Sequence, residues 1–238
     1  DPDDGRPVVG LVLANEVLDA LPIHQVRGAA AGNLIERFVE LGADHSFRFT
    51  DGPPSTPGLA DRLARAEVKL APGQVAEVCL ALDGWVAEAA AGLSRGLLLA
   101  IDYGHPAAAL YAATRGSLLR AYVHHRVHDD PFANIGRQDL TAHVDLTAVE
   151  SAAARAGLAH LGTTTQAEFL AGLGVGDLLV ELQTAPGAEL GAYLEARSAI
   201  FRLLDPAATG RFAVLCFGRG IPVDAPLRGL SFRLPARS

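Results

Sequence analysis

Two short stretches of this chain hold side chains able to do chemistry. The first is Gln138–Asp145 (QDLTAHVD). Read at period two, Asp139, Thr141, His143 and Asp145 share one face, and Leu140, Ala142, Val144 and Leu146 share the other. The pattern predicts a half-buried strand lining a polar cleft. A histidine oriented by a carboxylate can accept a proton, so His143 beside Asp139 or Asp145 is a candidate base. The second is Asn15-Glu16 with Asp19, just after the apolar run Val8–Ala14 (VVGLVLA). Another apolar run, Gly96–Ile101, ends in Asp102-Tyr103-Gly104. Uninterrupted runs of this kind suit strands buried on both faces of a parallel sheet. In open α/β sheets the ligand crevice lies at the carboxyl ends of the strands, so Asn15, Glu16 and Asp102 stand where chemistry is expected.

The elements that must position these groups follow from the pattern. Asn33–Leu41 and His45–Thr50 read as a strand pair around Gly42-Ala43-Asp44, and Asp51–Gly58 (DGPPSTPG) as a loop. Val75–Leu93 reads as one helix from the spacing of Val78, Leu82, Val86 and Ala89. Thr147 and Glu150 have the form of a capping box for a helix over Ala148–Ala156, stopped by Gly157. Leu158–Thr164 reads as a strand, Glu168–Leu173, Leu178–Leu182 and Leu190–Leu203 as helices, and Phe212–Phe217 as a last buried strand. Strands alternating with helices make an α/β layered domain.

Composition removes several classes. Half of the 238 residues are hydrophobic, so a sizeable core is expected. The net charge of −7 and the lack of a basic stripe argue against nucleic-acid binding. No apolar stretch is long enough for a bilayer, and no membrane insertion is expected. Cys79 and Cys216 lie in apolar runs and read as buried thiols of a reducing compartment. His124, His125 and His128 with Asp129 and Asp130 invite a metal reading. Their spacing is not that of a closed zinc site, so no metal is assigned. Gly172-x-Gly174-x-Gly176 imitates a dinucleotide fingerprint, but no buried strand precedes it, and it reads as a helix break. The chain opens on Asp1-Pro2 and contains no methionine, which we read as a partial or processed sequence.

The string Asn15-Glu16-Val17-Leu18-Asp19-Ala20-Leu21-Pro22 with His24-Gln25 resembles the signature of the MidA-type methyltransferases. That family includes the mitochondrial complex I assembly-factor arginine methyltransferase. Ile101–Gly104, Leu119–Tyr122, Asp129–Pro131, Gln138–Asp145 and Thr164–Gln166 match in the same order, so the resemblance spans Val8 to Gly220. It implies an S-adenosyl-L-methionine-dependent methyltransferase, with a class I Rossmann-like sheet carrying helices on both faces. The Val8–Ala14 strand is similar to the fourth strand of that sheet and Gly96–Ile101 to the fifth. The first strands, with their glycine-rich cofactor turn, are expected to belong to an N-terminal half outside this chain. The whole chain is then the C-terminal part of one methyltransferase domain, with a β-hairpin and helical insertion at roughly 26–74. Val8–Ala14 would form an exposed apolar edge.

The resemblance also implies roles. Glu16 and Asp19 could clamp a guanidinium by bidentate, charge-assisted hydrogen bonds, and a carboxylate could accept the released proton. Asn15 and Glu16 are expected to touch the cofactor, and Asp102, Tyr103, Asp139 and Asp145 the acceptor, with His143 as a catalytic base. Ordinary readings stand beside these. Acids at Glu16 and Asp19 suit a helix N-terminus, Asp145 could cap a helix, and His143 could be a hydrogen-bonded structural residue. The expected acceptor is a protein arginine, with a respiratory complex subunit as the implied partner and a homodimer left open. The expected compartment is the cytoplasm, or the mitochondrial matrix in a eukaryote. A non-catalytic binding module and a small-molecule methyltransferase remain alternatives, because fold alone does not choose an acceptor.

Overall fold

The computed structural model describes residues 6–123, 126–185 and 189–234. Along the chain run β1 (Val8–Asn15), β2 (His24–Gly28), β3 (Leu34–Leu41), β4 (Phe47–Gly52), α1 (Gly58–Arg65), β5 (Val75–Val78) and α2 (Ala81–Ala91). Next come β6 (Leu93–Asp102), β7 (Gly104–His105), α3 (Ala107–Leu110), β8 (Arg120–Val123), β9 (Arg126–His128), β10 (Asp139–Thr141), β11 (Val144–Asp145) and α4 (Leu146–Arg155). The chain closes with β12 (Ala159–Thr165), α5 (Gln166–Leu173), α6 (Val175–Thr184), α7 (Leu190–Leu204) and β13 (Ala213–Arg219). These elements fall into two compact units. One comprises residues 1–16, 89–103 and 157–238, the other residues 17–88 and 104–156.

The first unit is built on a four-stranded sheet of order β1-β6-β13-β12. β1 and β6 are parallel, and β13 runs antiparallel between β6 and β12. The β13 sequence AVLCFGR has no polar residue before its last position. Val214, Leu215 and Phe217 are accordingly buried completely. β1 meets β6 through a facing pair of glycines, Gly10 and Gly96. Gly96 has φ +143, and a Cβ there would lie 1.9 Å from the Gly10 carbonyl oxygen, so only glycine permits this approach. β1 is an edge of the described sheet. Val9 is 76 % exposed, with Leu11 and Leu13 also open, which is the apolar edge the sequence led us to expect. Thr165 caps α5 in a complete capping box with Glu168, and Gly174 (φ +94) ends that helix before α6. The glycine repeat at 172–176 is therefore a helix break.

The second unit contains an antiparallel sheet of order β4-β3-β2-β5. Val26, Ala76 and Val78 of its inner face pack with Leu59 and Leu63 of α1 and with Leu110 and Tyr111. His24 and Gln25 each make a side-chain hydrogen bond within this unit. His24 Nδ1 lies 2.7 Å from Glu36 Oε1, and Gln25 Nε2 donates to Glu77 Oε1 at 2.9 Å.

Three sequence expectations need correction. Val75–Leu93 is not one helix: Val75–Val78 pairs with β2 as a strand, and α2 begins at Ala81. Val78 fits either period, and pairing with β2 decides between them. Residues 139–145 are not one strand. β10 pairs with β8 and β11 pairs with β7, with a break at Ala142-His143. Alternation holds from Thr141 to Leu146, but Leu140 is 44 % exposed. Finally, α4 is capped by Asp145, whose side chain accepts from Ala148 N–H, and not by Thr147. The Thr147 hydroxyl instead accepts from Ala107 N–H at 3.0 Å.

Candidate functional site

In the first unit, parallel register sets the ends of β1 and β6 side by side. Asn15 is paired with Ile101, and Glu16 N–H donates to the Ile101 carbonyl at 2.9 Å. Asn15 and Glu16 are both exposed, their side chains 3.5 Å apart. Glu16 has φ +50, the left-handed region that costs a non-glycine residue free energy. The chain accepts that conformation at the residue whose carboxylate stands open at the strand end. Asp102 is fully buried, and its Oδ1 accepts from Tyr103 N–H at 2.9 Å. The Tyr103 ring packs against Phe212 with centroids 5.3 Å apart. Asp102 is thus placed to shape the turn after β6.

In the second unit, Ala142 N–H donates to the Asp19 carbonyl at 2.9 Å, which brings the DALP segment against the residues preceding His143. Asp19 is buried. A cavity here is lined by Arg62, Glu77, Cys79, Tyr111, His143 and Asp145 over an apolar floor that includes Leu18 and Leu82. The His143 ring stacks on His105 with centroids 5.5 Å apart and planes 20° apart. Asp145 has two tasks. Oδ1 caps α4, while Oδ2 is buried without a hydrogen bond of ordinary geometry, near the Tyr111 hydroxyl. Burial pushes the Asp145 carboxyl above its ordinary value. The Ala148 N–H, the Tyr111 hydroxyl and Arg62 pull the other way without overcoming it. Burial likewise raises the Tyr111 phenol and the Cys79 thiol.

The structure thus groups Asn15, Glu16, Asp102 and Tyr103 in one unit, and Asp19, His143 and Asp145 in the other. Asp139 lies exposed in β10, in a different sheet from Asp145. His124 and His125 lie outside the described residues. His128 is in β9, and Asp129 faces Arg120 at 3.5 Å. Among the described residues, no group of three or more His, Cys, Asp or Glu could hold a metal. Sequence reading missed Arg62, Glu77 and Tyr111. Arg62 had a signal: it lies three residues after Leu59 and one before Leu63, on the apolar stripe of α1. Glu77 is out of place in a VAEV strand, whereas Tyr111 carries no local signal.

Comparison with known proteins agrees with this architecture. Residues 2–164 match the model of a family of S-adenosyl-L-methionine-dependent methyltransferases. A Drosophila melanogaster protein named as the mitochondrial protein arginine methyltransferase NDUFAF7 homolog is 31% identical over 222 residues, covering 89% of this chain. The chain spans 47% of that relative's length. Two crystal structures of superfamily members from Burkholderia thailandensis are 35% identical with TM-scores of 0.82. They match 95% of this chain, which covers 59% and 57% of theirs, and the second is bound to S-adenosyl-homocysteine. At that identity and overlap the fold is the class I methyltransferase fold. The chain belongs to the MidA-type family of S-adenosyl-L-methionine-dependent methyltransferases, the family that its NEVLDALP and QDLTAHVD strings resemble.

Proposed function

We propose that this chain supplies the acceptor side of a protein methyltransferase that modifies arginine. The observation that carries the reading is Glu16: a carboxylate held in left-handed backbone at the open end of β1, beside the end of β6. Support for arginine comes from the fly relative, whose name states that activity for that protein. S-adenosyl-L-methionine supplies an electrophilic methyl group on a sulfonium. The exposed amide of Asn15 and carboxylate of Glu16 suit such a ligand, because both are polar and open at the strand ends. Glu16 binds the guanidinium through charge-assisted hydrogen bonds and fixes the direction of the attacking nitrogen. It also accepts the proton that the nitrogen loses.

Buried Asp102 is a positioning residue that holds the Tyr103 turn, and Tyr103 flanks the acceptor. In the second unit, Asp19 and Asp145 fix the segment that carries His143. His143 carries a ring able to accept a proton, and exposed Asp139 a carboxylate able to meet a cationic substrate. We read residues 17–88 and 104–156 as the elaboration that selects the acceptor. The implied partner is a protein, with a respiratory complex subunit as the candidate. The working compartment is the cytoplasm of a bacterium or the mitochondrial matrix of a eukaryote. No helix among the described residues is long and apolar enough to cross a membrane.

The test is methyl transfer from labelled cofactor to protein arginine by the full-length protein and its Glu16→Gln and Glu16→Gly variants. Glu16→Gly removes the carboxylate while relieving the positive φ, so it keeps the fold. We expect both variants to lose at least ~10³-fold in rate with unchanged melting, of the order seen when a positioned catalytic group is removed. Retained activity sinks the role of Glu16. Transfer to free arginine or a small amine, and none to protein, selects a small-molecule methyltransferase.

A further inference from the structure

The second unit holds a cluster of cations that the methyl-transfer reading does not use. Arg62 and Arg65 project from the last turn of α1, and Arg155 from the last turn of α4. All three converge on one carboxylate. Arg62 Nη2 lies 2.5 Å from Asp83 Oδ1, while Arg155 Nη2 and Arg65 Nη2 lie 2.8 Å and 4.0 Å from Asp83 Oδ2. Asp83 by itself does not balance three guanidinium groups. Arg62 is only 5% exposed, and its Nε is buried with no hydrogen-bond partner among the described residues. A buried donor left without a hydrogen bond is costly. A cavity lies between α1 and α4, lined by Arg62, Arg65, Thr147, Ser151 and Arg155. Thr147, Ser151 and Arg155 recur every four residues, so they form one row along the α4 face of that cavity. The acid in its lining is Asp145, which interacts electrostatically with Arg62 and spends Oδ1 on the α4 cap.

We propose that this cavity binds a small oxyanion of the phosphate class, held in the fork of Arg65 and Arg155 with Arg62 behind them. Guanidinium forks match the geometry of such oxygens, and the Ser151 hydroxyl adds a donor. The anion supplies the charge that Asp83 alone does not. Arg62 lines both this cavity and the one that holds His143, so an occupied site steadies a wall of the second cavity.

The experiment is a titration of the full-length protein with inorganic phosphate at constant ionic strength, followed by melting temperature and calorimetry. Acetate and chloride serve as comparison anions. We expect saturable stabilisation by phosphate, weakened at least ~10-fold, about 1.4 kcal/mol, in the Arg65→Ala/Arg155→Ala double variant and unchanged in Arg197→Ala, on α7 of the first unit. Ser151→Asp places a carboxylate in the cavity. It should raise the melting temperature without phosphate and abolish the phosphate response. An equal response to chloride or acetate, a response that survives in the double variant, or a Ser151→Asp protein that still responds to phosphate overturns the proposal.

Discussion

The two units bury their polar groups differently. In the first unit the sheet is sealed by apolar contact. Leu98, Val214, Leu215 and Phe217 are essentially inaccessible, and β1 approaches β6 with only hydrogen atoms between Gly10 and Gly96. The second unit buries Asp19, Gln25, Glu36, Arg62 and Glu77, against Asp102, Thr164 and Gln166 in the first. Glu77 is the centre of one network: it accepts from Gln25 at 2.9 Å, the Ser117 hydroxyl at 2.6 Å and Leu118 N–H at 3.0 Å. Arg37 donates in turn to Gln25 Oε1 at 2.9 Å. Apolar burial is non-directional and tolerates exchange of similar volumes, whereas buried hydrogen bonds fix orientation and penalise any missing partner. The first unit thus resembles a rigid platform. The second is specified by direction.

The comparison can be broken first at the platform. Gly96→Ala should cost the most, about 4 kcal/mol or more, because the new methyl meets backbone that cannot rotate away. Chemical denaturation of the variant would show it, and a loss below about 1 kcal/mol would mean that β1 can slide off β6. Glu77→Ala should come next, at about 3 kcal/mol, since it strands three donors in the interior. A near-neutral result would show that water replaces the carboxylate and that direction does not specify the second unit.

Smaller effects sharpen the contrast, because the two units should respond to pH with opposite sign. Partial burial alone would raise Glu168 of the first unit. Hydrogen bonds from the Thr164 hydroxyl, Leu234 N–H and Thr165 N–H outweigh it and hold the carboxyl down at about 2, against an ordinary 4.5. Its stabilising contribution is complete above pH 4.5 and is lost as the pH falls towards 2. Asp145 of the second unit is shifted upwards from 3.8, so its contribution is greatest below that pH and declines as the pH rises through the folded value. Melting curves against pH should flatten at the acid end in Glu168→Gln and flatten in the opposite direction in Asp145→Asn. Asp145→Ala should lose about 1 kcal/mol for the missing cap, while Asp145→Asn keeps it. Equal losses in both Asp145 variants would mean that the charge, not the cap, is what α4 needs.

Sequence pattern was sufficient where one period dominated. Continuous apolar runs marked β1, β6 and β13, and the helices α5 to α7 followed from their spacing. The apolar runs of β1 and β6 place Asn15, Glu16 and Asp102 at or beside their strand ends. It failed where two periods overlapped, as in Val75–Val78, and where a strand changed partners, as between β10 and β11. A capping box was expected at Thr147 and formed at Thr165 instead, because a cap depends on where the preceding strand ends.

The sequence by itself determined the family, the α/β alternation and the strand-end acids, because each is written in contiguous residues. Tertiary structure alone decided that Asp102 is buried, that Glu16 sits in left-handed backbone, and that Arg62, Glu77 and Tyr111 meet His143 around one cavity. Those facts depend on contacts between residues tens of positions apart, and no local period encodes which of two polar groups will be taken out of water together.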